Sequence, residues 1–118
     1  MEKICSREAL DALPEASAEL RQQYLQVIGV LMYLCNTTRM ESCVTVNKLS
    51  RASANPSAKH YDMACGVLAF MYHTADKQVT FDGKCGWMPD AYCDSDWATW
   101  GSTSGWCIMM CGTANTLG

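Results

Sequence analysis

Asp94 and Asp96 are the residues whose type and spacing could most directly do chemistry. On a β-strand, residues two apart share a face. Two carboxylates held that way repel each other unless water or a cation comes between them. Mg²⁺ prefers oxygen ligands, takes one or two carboxylates from a protein, and completes its shell with waters and phosphate oxygens. Such a site can run two-metal phosphodiester hydrolysis, in which the cations activate the water and stabilise the leaving oxygen. The same Asp-x-Asp spacing also describes two solvated carboxylates at a strand end, which is the commoner arrangement.

Other constellations are weaker. There is no Gly-x-Ser-x-Gly elbow and no P-loop. His60, Cys65 and His73 would scatter over different faces of one helix, so a core thiol and two solvated histidines are expected rather than a metal site. Trp87, Trp97, Trp100 and Trp106 could stack on bases, but tryptophans more often fill cores or cover sheet ends. The eight cysteines include no Cys-x-x-Cys spacing, which argues against a zinc ribbon or a thioredoxin-type site.

The elements that must position these residues fall into two halves. Leu13-Pro14-Glu15-Ala16-Ser17 can form helix, with Pro14 near a first turn. Tyr24, Val27, Ile28, Leu31, Leu34 and Cys35 recur at helical spacing and predict a largely buried helix ending near Asn36-Thr37-Thr38. A second helix is expected from about Glu41 to Ala52. After the break at Asn55-Pro56, Ser57 should cap a third helix, patterned by Tyr61, Ala64, Cys65, Leu68, Met71 and Tyr72. Connections this short imply that the three helices pack as neighbours. From Asp76 the character changes. Val79-Thr80-Phe81 carries a strand signal closed by Asp82-Gly83, and Ala91–Trp97 and Gly105–Cys111 read as strands about a Gly101–Gly105 turn. The chain thus divides into an acidic segment at 1–22, a helical region at 23–75 and a β portion at 76–118, an α+β arrangement.

Composition sets outer limits. The chain has 118 residues, 49% of them hydrophobic and 18% charged, which suits one modest domain with a core. A net charge of -3 disfavours an overall basic nucleic-acid binder. The apolar stretch from Val27 to Cys35 is too short to span a membrane, and residues 1–8 lack the order of a secretory signal. The expected location is therefore the cytoplasm or nucleus, with free thiols.

Together these segments resemble the Pol polyproteins of copia-type retrotransposons. Tyr24–Arg39 is similar to that family's Y-x-x-x-[IV]-G-x-L-x-Y-L-x-x-T-R stretch, and Val46–His60 to its V-x-x-L-S-R-x-x-x-x-P-x-x-x-H. Phe81-Asp82-Gly83, Tyr92–Ala98 and Ser102–Gly105 resemble F-x-G, Y-x-D-x-D-W-A and S-T-S-G, in order. The resemblance implies a reverse transcriptase thumb or connection running into the first strands of an RNase H-like fold. It implies Asp94 as the first catalytic and Mg²⁺-binding carboxylate, Asp96 as a further candidate metal contact, and an RNA–DNA hybrid or primer–template as the parent enzyme's partner.

Departures from the family pattern shape the expected function. Met40-Glu41 replaces Pro-Asp, and Gly66–Thr74 has none of the family's basic residues. The polymerase Y-V-D-D and the later T-E-A-E-Y acid segment are absent. The expectation is a catalytically incomplete Pol fragment that holds no Mg²⁺ and binds nucleic acid weakly or not at all. The alternatives are a non-catalytic nucleic-acid or protein interaction module, and a decayed pseudogene product without function.

Overall fold

A computed structural model describes residues 5–81, 83–84, 86–96, 103–110 and 113–117. Four helices precede an antiparallel sheet: α1 (Arg7–Asp11), α2 (Ala18–Thr37), α3 (Cys43–Ser50) and α4 (Ala58–His73), then β1 (Asp90–Asp96), β2 (Thr103–Met110) and β3 (Thr113–Leu117). A 3-10 turn at Met40–Ser42 leads into α3. The chain is α+β, helices first and strands after. It forms two compact units that divide after Asp76.

In the helical unit, α2 packs on α3 and α4, and α3 on α4, as the short connections require. Helices α1, α2 and α4 each start at a serine whose hydroxyl accepts from an orphan N–H. Ser17 Oγ accepts from the Leu20 N–H at 3.2 Å. This cap places Leu13–Ser17 outside any helix, a correction to the sequence reading. Pro14 starts no first turn there. The segment is instead an arm tied down by Asn55, whose Oδ1 accepts from the Ala16 N–H at 2.7 Å and whose Nδ2 donates to the Pro14 carbonyl at 3.1 Å. The second expected helix is shorter at both ends, because residues 40–42 form the tighter turn and α3 stops at Ser50.

Ser57 caps α4 as expected, and His60 completes a capping box in place of the usual Glu or Gln. The core joins Tyr24, Ile28, Leu31 and Cys35 of α2 to Val46 and Leu49 of α3 and to Ala64 and Met71 of α4, with Cys5 and Ala52. Tyr72, part of the apolar pattern that predicted this helix, is exposed. The buried stripe of α4 runs through His60, Ala64 and Met71, and Tyr72 lies about 100° round the helix from Met71.

The sheet has the order β1-β2-β3, an antiparallel meander. β1 pairs with β2 from Asp90 opposite Met109 to Asp96 opposite Thr103. The β2–β3 register shifts between Ile108 and Met109. The apolar run of β2 suggested a strand covered on both faces; Cys107–Met110 are half-buried, and Trp106 is exposed. Val79-Thr80-Phe81 is irregular rather than a strand and lies outside the three-stranded sheet. Gly83 takes a left-handed φ of 69°, which suits the expected turn, while Asp82, Trp97, Ala98, Trp100, Gly101 and Ser102 lie outside the described residues.

Candidate functional site

Asp94 and Asp96 both stand on β1, on the face they share with Asp90 and Tyr92. All four are exposed. Asp94 Oδ1 accepts from the Ser95 N–H at 2.9 Å. The residues paired across the ladder are Gly105 and Thr103, neither of which brings a carboxylate. Among the described residues, no group of three or more His, Cys, Asp or Glu side chains converges as metal ligands would. Two-metal hydrolysis needs several carboxylates brought together from different segments. Among the described residues the donor set does not fit that centre. Trp87 and Trp106 are exposed in the same unit, whereas Trp97 and Trp100 fall outside the described residues.

The helical unit puts its polar side chains to structural use. Tyr24 is fully buried, and its hydroxyl donates to the Leu49 carbonyl at 2.6 Å, joining α2 to α3. Burial pushes the Tyr24 phenol well above its usual range. His60 is buried rather than solvated: its Nδ1 accepts from the Ser57 N–H at 3.1 Å, and its ring meets that of Tyr24 edge-on at 6.5 Å. His73, by contrast, is exposed as expected.

Arg39 is the residue that sequence reading passed over as no more than the end of a motif. Its side chain is 7% exposed, and its guanidinium clasps the end of α4. Nη1 donates to the carbonyls of Met71 and Thr74 at 2.9 and 3.2 Å, and Nη2 donates to Thr74 Oγ1 at 2.6 Å. Nε donates to Glu41 at 2.6 Å, and the Phe70 ring lies 5.9 Å from the guanidinium carbon. A cation is favoured at a helix C-terminus, where carbonyls lack intrahelical donors. One signal could have found it: Arg39 follows a stretch, Gln22 to Thr38, that carries no charge. The departure at Met40-Glu41 is accommodated too, since Met40 is buried and Glu41 holds Arg39.

The six cysteines described, Cys5, Cys35, Cys43, Cys65, Cys93 and Cys107, form no disulfide. Burial raises the Cys5 thiol and pushes Cys35 up to about 11. Cys85 and Cys111 lie outside the described residues. An open groove of about 680 Å³ runs between the arm and α2, lined by Glu15, Ala16, Arg21, Gln22 and Leu25 among others.

No family model matches the chain, and no solved structure matches it. It is 29% identical, over 93 residues, to the secreted RxLR effector protein 161 of Plasmopara viticola. The alignment covers 75% of this chain and 66% of that protein. This finding corrects the copia-type assignment, because the similar protein is named an effector and no polymerase or RNase H family model matches. The reading as a Pol fragment falls with it. Tyr24, Arg39, Leu49 and His60, which lie in the motifs that carried the resemblance, are all buried in the helical unit. The expected cytoplasmic or nuclear location is corrected likewise, since the similar protein is named as secreted. No described helix is long and apolar enough to cross a membrane.

Proposed function

We propose that this chain is a non-catalytic, effector-type interaction protein that engages a protein partner through the outward side of α2. One observation carries the reading. From Gln22 to Thr38 no residue is charged, yet Leu25, Val30, Met32 and Tyr33 are exposed, Tyr33 at 70%. Exposed apolar residues scattered singly are ordinary, whereas a contiguous apolar patch marks an interaction surface. At 100° per residue, Leu25, Gly29 and Met32 follow one line along α2, with Tyr33 beside it about 40° beyond Gly29, and Val30 further round on the outward side. The likeness to a protein named as a secreted effector supports a role outside the cell that makes it.

Affinity capture with the full chain, followed by direct titration of each captured protein against purified chain, tests the proposal. Binding should weaken at least tenfold in Leu25→Glu/Tyr33→Glu while the circular dichroism stays unchanged, and Trp87→Ser should bind as the parent does. Equal binding by the doubly charged variant would overturn the reading. So would cleavage of an RNA–DNA hybrid, with Mg²⁺ or Mn²⁺, that Asp94→Asn abolishes.

A further inference from the structure

We infer that Cys35 and Cys43 are a modification site: a dithiol that a low-molecular-weight disulfide converts to an intramolecular disulfide joining the end of α2 to the start of α3. Three observations place the two together. Cys35 lies in the last turn of α2, and Cys43 is the first residue of α3, with only the 3-10 turn and its flanks between them. The chain folds back there, since both the 3-10 turn and α3 pack on α2. Cys35 is 2% exposed in the core cluster, and Cys43 packs half-buried against that same cluster. Cys43 is also near enough for its charge to act on the Cys35 thiol.

The difference in exposure orders the chemistry. The reachable thiol, Cys43, attacks as thiolate on the oxidant's disulfide and releases one thiol from it. Cys35 then loses its proton, attacks the Cys43 sulfur of the mixed disulfide and releases the second thiol. The two cysteines together give up two protons and two electrons; the oxidant is reduced to two thiols. Because burial holds Cys35 protonated, the second step is the slow one and quickens as pH rises toward 10. The site does not depend on the proposed partner surface, which lies on exposed residues of α2.

The chain is incubated with oxidised glutathione at pH 8, blocked with iodoacetamide, unfolded and cut with trypsin. Cleavage after Arg21, Arg39 and Lys48 leaves the two cysteines on separate peptides, 22–39 and 40–48. The expected product is these two peptides joined, 2 Da lighter than their sum and separated by dithiothreitol. Exposed Cys93 should carry a glutathione adduct in the same sample. In Cys35→Ala, Cys43 should stop at the glutathione adduct. The oxidised parent should melt about 10 °C above the reduced one, as closing a short loop predicts. A persistent adduct on Cys43 beside an unmodified Cys35 in the parent chain would overturn the inference, as would joined peptides that form only under denaturing conditions.

Discussion

The Tyr24 hydroxyl is a single polar atom set in an apolar core, and its hydrogen bond to Leu49 carries the cost of putting it there. Tyr24→Phe keeps the ring and leaves that carbonyl without its donor. We expect a loss of about 1–2 kcal/mol, read from the urea midpoint at unchanged slope. Cys35 adds a pH dependence. Burial raises its thiol from 9.0 to about 11, so the folded state favours the protonated form. The stability this represents is fully present below pH 9 and is lost as pH rises through about 11. The loss should be on the order of 2 kcal/mol. Tyr24, also raised, extends the decline to higher pH. Urea titrations between pH 8 and 10.5 check this: Cys35→Ala should flatten the curve, and an equal slope in parent and variant would show that the thiol is not responsible.

At the scale of the element, local chemistry decided what could be read in advance. α4 was legible because Pro56 and Ser57 mark where it begins and an i, i+3, i+4 apolar pattern marks it as helix, although its buried stripe is centred on His60, Ala64 and Met71 and leaves Tyr72 out. β1 and β2 were legible as strands and as antiparallel neighbours. What stayed hidden depends on contacts across tens of residues. Nothing local to Asn55 says that it will hold Ala16, and nothing local to His60 distinguishes a capping ring in the core from a solvated one. Asp94 and Asp96 show the converse: their spacing was plain, while the ladder places Gly105 and Thr103 opposite them, which no local pattern announces. The α4 cap gives a measurable case. Ser57→Ala removes both the hydroxyl that meets the His60 N–H and its contact with the His60 ring at 2.8 Å. The expected cost is about 1 kcal/mol in thermal or urea unfolding, while Ser57→Asp should retain most of the stability.

Across the whole molecule, burial is distributed unequally. The buried core runs from Cys5 to Met71, whereas none of the described residues from Lys77 to Met110 is fully buried. The sheet is held mainly by its ladders, and a small meander with little covered apolar surface is only marginally stable. Native-state hydrogen exchange should therefore show amides of 24–35 and 64–71 outlasting those of β1 and β2. Slower exchange in β1 and β2 would mean that the sheet carries stability its burial does not account for. Arg39 leads to one further consequence, which concerns the order in which the chain is made. The carbonyls it meets belong to residues 32 and 35 positions later. During synthesis α2 and α3 leave the ribosome with that guanidinium still in water, and the helical unit can close only once Thr74 has emerged. A nascent chain stalled at Tyr61 has every residue of α2 and α3 but only Glu41 to meet the guanidinium; one released at Asp76 has its full complement of acceptors. The shortest piece of this protein able to fold is thus bounded on its C-terminal side by the reach of one arginine. Pulse proteolysis of chains ending at 61, 68 and 76 should find resistance in the last alone.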